Sequence, residues 1–113
     1  MKNRILSLSK NEDFKSILTG KKINNKYLTI FFKKLSDKNK KNLNLSIVTK
    51  KKIGNAVLRN KIKRRIKNIM IDALKKINLN LNYSYLLIAK KKVCNDKFEL
   101  IKNTIFNDFE RIN

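Results

Sequence analysis

The sequence predicts a small α/β protein: an α+β two-layer sandwich with a small mixed sheet and elements in the order α-β-β-α-β-α. Three observations predict it. Apolar residues recur at spacings of three and four along 56–77 and 96–111, the period of a helix with one buried face. Short runs at 27–35, 43–50 and 85–89 are rich in aliphatic and aromatic residues and too short for a typical helix, so they read as strands. The length of 113 residues has room for one domain, 1–113, around one modest core.

Taken in order, residues 1–8 read as a flexible basic N-terminal segment, without the sustained apolar stretch of a secretory signal. Ser9-Lys10-Asn11-Glu12 matches a capping box, with Ser9 as N-cap and Glu12 reaching back. It opens a helix over about 10–19 whose apolar face is Phe14, Ile17 and Leu18, and Gly20 ends it. In the 27–35 strand Leu28, Ile30 and Phe32 face one way, and Tyr27, Thr29 and Phe31 the other. Residues 36–42 read as a polar hairpin loop. The 43–50 strand puts Leu43, Leu45, Ile47 and Thr49 on one face, and Gly54-Asn55 breaks it.

Asn55 can cap the next helix. That helix runs to about residue 77, with Leu58, Ile62, Ile66, Ile69, Ala73 and Ile77 as its apolar stripe. Asn60, Arg64 and Lys67 lie beside the stripe; Lys61, Arg65 and Asn68 lie on the outer face. A loop at 78–82 leads to a buried strand at 85–89, closed by Lys90-Lys91-Lys92. The last helix, about 96–111 and capped by Asn95 or Asp96, buries Phe98, Ile101, Ile105, Phe109 and Ile112. If its strands are parallel, the β-α-β unit over 43–89 is right-handed by the general rule.

Charge sets the partner class. With 29 Lys and Arg against 8 Asp and Glu, the formal net charge is +21, an excess that points to a polyanion: nucleic acid or an anionic membrane surface. No apolar run is long enough to span a bilayer. A single cysteine, Cys94, forms no intrachain disulfide and fits a reducing cytoplasm. Without histidine the usual general base near neutral pH is missing, and the sparse carboxylates assemble no metal constellation. No organic cofactor is expected, and the polypeptide is poorly equipped to do chemistry itself.

The charge is concentrated. Lys50, Lys51, Lys52, Arg59, Lys61, Lys63, Arg64, Arg65 and Lys67 fall in one stretch that holds no acid. A solvated face would normally mix both signs, so this one is built to face anions. Gly54 lets the backbone approach a ligand closely, and the helix start after Asn55 offers free N–H groups to phosphate. Arg59, Lys63 and Lys67 recur every four residues and line up along one flank, which Asn60 and Arg64 extend. Such a surface suits the backbone of folded RNA better than base reading.

The stretch Lys51-Lys52-Ile53-Gly54-Asn55-Ala56-Val57-Leu58-Arg59-Asn60-Lys61-Ile62-Lys63-Arg64 resembles the signature of the protein subunit of bacterial ribonuclease P almost position by position. Leu8-Ser9-Lys10-Asn11-Glu12-Asp13-Phe14 and Ile88-Ala89-Lys90-Lys91 resemble that family as well, and the order of elements agrees. The resemblance implies a left-handed β-α-β crossover, against the general rule. It implies a catalytic RNA partner that carries the active site and its Mg²⁺, and cleavage of precursor tRNA to release the 5′ leader. One protein per RNA, monomeric when free, is the implied assembly. Carried over residue by residue, Lys51, Lys52, Asn55, Arg59, Asn60, Lys61, Lys63, Arg64, Lys67 and Lys90 would contact the catalytic RNA. Lys90 stands where an Arg is common, which keeps charge and loses the two-pronged grip. Phe14, Leu18 and Phe31 would line the leader cleft between the first helix and the sheet. Leu18 replaces an aromatic of many relatives, and a one-residue gap would exchange Phe31 for Ile30 or Phe32.

Two other functions compete. A small ribosomal protein would share the size, charge and RNA affinity without any role in cleavage. A membrane-surface amphipathic protein would use the basic helix on anionic lipid, yet it would need no sheet. On the residues alone Phe14 can equally be core, and Lys38, Lys40 and Lys41 read as a solvated run.

Overall fold

Among the described residues five strands make one mixed sheet, where the sequence shows three. The computed structural model describes residues 5–6, 11–34 and 43–112, and the side chains of residues 15–34 and 43–112. The elements are β1 (Ile5–Leu6), α1 (Asn11–Leu18), β2 (Lys21–Asn24), β3 (Leu28–Lys34), β4 (Leu43–Val48), α2 (Ala56–Lys76), β5 (Tyr83–Ala89) and α3 (Phe98–Glu110). Short 3-10 turns at Lys51–Ile53 and Lys91–Cys94 precede α2 and α3. The sheet order is β1-β4-β5-β3-β2. β4 pairs parallel with both β1 and β5, while β3 pairs antiparallel with β5 and β2.

Two sequence expectations change here. β3 and β4 are not hairpin partners, because β5 lies between them. β5 is the most apolar strand, with Tyr85, Leu86, Leu87 and Ala89 buried, and burial on both faces draws it to the centre. The second change is at the N-terminus: Ile5–Leu6, expected within a flexible segment, pairs with Leu43 and Asn44. The capping box residue Ser9 and the 36–42 loop lie outside the described residues.

The register sorts the side chains by face. Leu28↔Ala89, Ile30↔Leu87 and Phe32↔Tyr85 set one face of β3 and β5, and Leu45 and Ile47 join it from β4. This is the core face. Onto it α2 lays Ile62, Ile66, Ile69, Met70 and Ala73, and α3 lays Ile101, Ile105 and Phe109. Each of these Ile, Met and Phe side chains taken fully out of water contributes about 1.5–3 kcal/mol. The rings of Tyr85 and Phe109 meet edge to face at 5.1 Å between centroids, which ties α3 to the centre of the sheet. The helical stripe matches its expected residues, with Leu58 and Ile77 half-buried at its ends and Met70 added.

The second face is covered differently. α1 packs across it onto β3 and β5, and Ile17 and Leu86 are buried there, apart from the main core. Gly20 makes that approach possible. A Cβ at Gly20 would stand 2.6 Å from the Phe32 carbonyl oxygen, closer than any side chain tolerates. Beyond α1 the face stays partly open, with Thr29, Phe31, Ser46, Val48 and Ile88 half-buried.

Candidate RNA interface

The basic segment begins where β4 ends. Lys50 is exposed, the 3-10 turn carries exposed Lys51 and Lys52, and Ile53 is buried as its anchor. Asn55 then caps α2 as expected: its Oδ1 accepts the Leu58 N–H at 2.9 Å. Along α2, Asn60, Lys61, Lys63, Arg64 and Lys67 are exposed and Arg59 is half-buried. Arg59 to Lys67 covers about 12 Å of helix at 1.5 Å per residue, enough to follow two phosphates of one strand. Among the described residues the ion pairs are Lys102–Asp72 and Arg111–Asp108, so none offsets the cations of 50–67. The buried Nε of Arg59 also has no hydrogen-bond partner among the described residues.

A cleft adjoins this surface. β4 and β5 run parallel, so the loops leaving their C-terminal ends meet at one end of the sheet. A cavity of about 390 Å³ lies there, floored by Ile53, Ile88 and Ala89 and rimmed by Lys50, Lys52, Lys90 and Lys91, with Thr29 at its side. Lys50 and Lys91 are absent from the sequence-based set. Their signal is present as Lys50-Lys51-Lys52 and Lys90-Lys91-Lys92, but only the parallel pairing brings the two runs together.

Three expected residues behave differently from the rest. The Lys90 ammonium donates to Asn24 Oδ1 and to the Asn25 carbonyl, each at 2.6 Å, so it braces the β2–β3 turn while lining the cleft. Arg65, expected on the outer face, turns inward and donates through one nitrogen to the carbonyls of Val93 and Asp96 at 2.8 and 3.1 Å. Asp96 does not cap α3. Lys97 stands at the N-cap position without a side-chain bond, and the Asp96 carboxylate instead accepts the Tyr27 hydroxyl at 2.6 Å. That bond, with burial second, raises the Tyr27 pKa above its ordinary value.

On the open face, Phe31 is half-buried beneath the Lys22 ammonium, 6.0 Å from the ring centroid. Leu18 is 47% exposed at the end of α1, on the side expected for the leader cleft. Ile30 and Phe32, the alternatives to Phe31, are buried in the core face. Phe14 belongs to α1, one turn before Ile17 and Leu18; its side chain lies outside the described residues.

Fold and site together define a small α+β protein with a dense cationic edge beside a half-open sheet face. A family model described as Ribonuclease P matches residues 2–113, and the chain belongs to that family. The ribonuclease P protein component of Carboxydothermus hydrogenoformans is 35% identical, over 88% of this chain and 84% of its own. That of Bacillus pumilus is 33% identical, over 92% and 85%. Among solved structures, the RNase P protein from Thermotoga maritima superposes with a TM-score of 0.78 at 26% identity, covering 95% of this chain and 97% of that one. The Staphylococcus aureus RNase P protein gives 0.71 at 28% identity, covering 94% and 93%.

Proposed function

We propose that this chain binds the catalytic RNA of ribonuclease P through the 50–67 surface, and the 5′ leader of precursor tRNA through the open sheet face. In that reading the RNA subunit carries the cleavage and the protein favours its productive form. The observation that carries it is the acid-free run of cations on the flank of α2 and the turn before it, in a chain of this family. Arg gives phosphate a two-pronged contact, and Lys supplies point charge. The basic face is backed by a packed sheet, which a membrane-surface helix would not need and which supports RNA over lipid as the polyanion.

Mg²⁺ is assigned to the RNA subunit and its substrate. Among the described residues of the polypeptide no three His, Cys, Asp or Glu converge to hold a metal. Its part is to lower repulsion between the two RNAs and to hold the leader, where a base stacked on Phe14 or Phe31 contributes about 1–3 kcal/mol. The test is reconstitution with a bacterial ribonuclease P RNA and precursor tRNA at low Mg²⁺, with expected recovery of leader removal. No recovery, together with co-sedimentation on ribosomal subunits through a high-salt wash, overturns the reading in favour of a ribosomal protein.

A further inference from the structure

The segment that leaves β5, residues 90–97, carries Lys91 to the cleft, across from Lys50 and Lys52. Like charges so placed repel, and a loop this short would relieve the repulsion by swinging outward. It is held from two sides instead. From the β2–β3 turn, the Tyr27 carbonyl accepts the Lys90 N–H at 2.8 Å and the Tyr27 hydroxyl donates to Asp96 at 2.6 Å. From α2, Arg65 grips the carbonyls of Val93 and Asp96, with Val93 fully buried between them. In a chain of net charge +21, a guanidinium turned away from the anion-facing surface onto neutral carbonyls calls for a structural reason.

We propose that Arg65 is a positioning residue: with the Tyr27–Asp96 bond it fixes the 90–97 segment so that Lys91 meets the same phosphate-bearing strand as Lys50 and Lys52. The inference rests on the RNA-binding reading above. If Arg65 acts through Lys91, the two mutations must not add. Binding of the protein to a bacterial ribonuclease P RNA is measured across a salt series for Arg65→Ala, Lys91→Ala and the double variant. Each single variant is expected to weaken binding about fivefold and to lower the salt slope by about 1, and the double variant to match either single.

Arg65→Lys keeps the charge, but its ammonium ends one bond short of the nitrogen that reaches both carbonyls, so it is expected to behave like Arg65→Ala. Additive losses, an unchanged salt slope, or parental binding by Arg65→Lys would each overturn the proposal. Tyr27→Phe keeps the buried ring and removes only the bond to Asp96, so it carries the test should Arg65→Ala fold poorly. Amide exchange of residues 91–97 in the free protein is expected to quicken in both, and unchanged exchange overturns the clasp. If the parent chain itself fails to bind the holoenzyme RNA, the RNA-binding reading falls, and the exchange rates still decide whether Arg65 orders the segment.

Discussion

Tyr85 shows how a single group links burial to pH. Its ring lies at the centre of the sheet, and its hydroxyl donates to the Asn80 carbonyl at 2.6 Å. Burial, with Tyr83 nearby, pushes its pKa far above the ordinary tyrosine value. The folded state therefore holds this proton after the unfolded chain, near its usual value of about 10, has begun to release it. The contribution is complete below about pH 10 and is lost as pH climbs toward the raised folded value. Tyr85→Phe lacks both the hydrogen bond, about 0.5–1.5 kcal/mol, and this titration. The stability advantage of the parent over Tyr85→Phe, from urea unfolding, is expected to shrink between about pH 8 and pH 11. Lysine titration is common to both chains and cancels, so a constant difference would contradict the argument. Arg59 and Arg64 make a different residue-scale case, since neither packs in the core. Arg59→Ala or Arg64→Ala is expected to weaken binding to the catalytic RNA by about 1–3 kcal/mol with little loss of stability. Filter binding at physiological salt reads the first quantity, and equal affinity of variant and parent would remove the residue from the interface.

At the scale of elements, α2 serves two masters at its N-terminus. Asn55 closes the first turn through its bond to the Leu58 N–H, and it stands among the cations proposed to face RNA. Two substitutions separate these roles. Asn55→Ala removes the cap and is expected to cost about 0.5–2 kcal/mol of stability. Asn55→Asp keeps a capping oxygen and places negative charge where the helix dipole favours it, so stability holds. It also sets a carboxylate against phosphate, so RNA affinity drops more than in Asn55→Ala. Thermal melting paired with RNA titration distinguishes the two, and equal RNA affinities would confine Asn55 to capping. This helix was legible in the sequence because Ile62, Ile66, Ile69 and Ala73 keep its period and its cations are contiguous. β1 and β2 were not legible. Ile5–Leu6 is too short to show alternation, and Lys21–Asn24 has a single apolar residue, Ile23, because it is an edge strand shielded by lysines. The cap of α3 is not where the sequence pattern places it, since the Asp96 carboxylate is claimed by Tyr27, distant in sequence. The cleft was half legible: each lysine run is visible, but their meeting depends on the order of strands.

For the molecule as a whole, the governing quantity is a net charge of +21 on a chain whose compact radius of gyration is about 13 Å. Neighbouring charges on so small a surface lie within about one Debye length of each other at 0.1 M salt, about 10 Å, so repulsion along the basic surface is only partly screened. The core opposes it with one face of a small sheet and two helices, and the cations of 50–67 have no acid partners among the described residues to offset it. An anion that binds the folded surface better than the unfolded chain therefore stabilises by mass action, by about 2.7 kcal/mol at one hundred times its dissociation constant. Simple screening also helps, but it depends on ionic strength and not on the anion's geometry. Sulfate, which offers the oxygens of a phosphate, tests the difference. At millimolar levels its general exclusion from protein surfaces is negligible, so that any gain over chloride reports binding. The melting midpoint followed by circular dichroism is expected to rise with sulfate well beyond its value in sodium chloride of matched ionic strength. Lys51→Ala combined with Lys52→Ala should narrow the gap, since these residues lie at the turn before α2, where free N–H groups and cations converge. Equal midpoints in the two salts would mean that the basic surface is held by its packing alone and has no geometry suited to a phosphate.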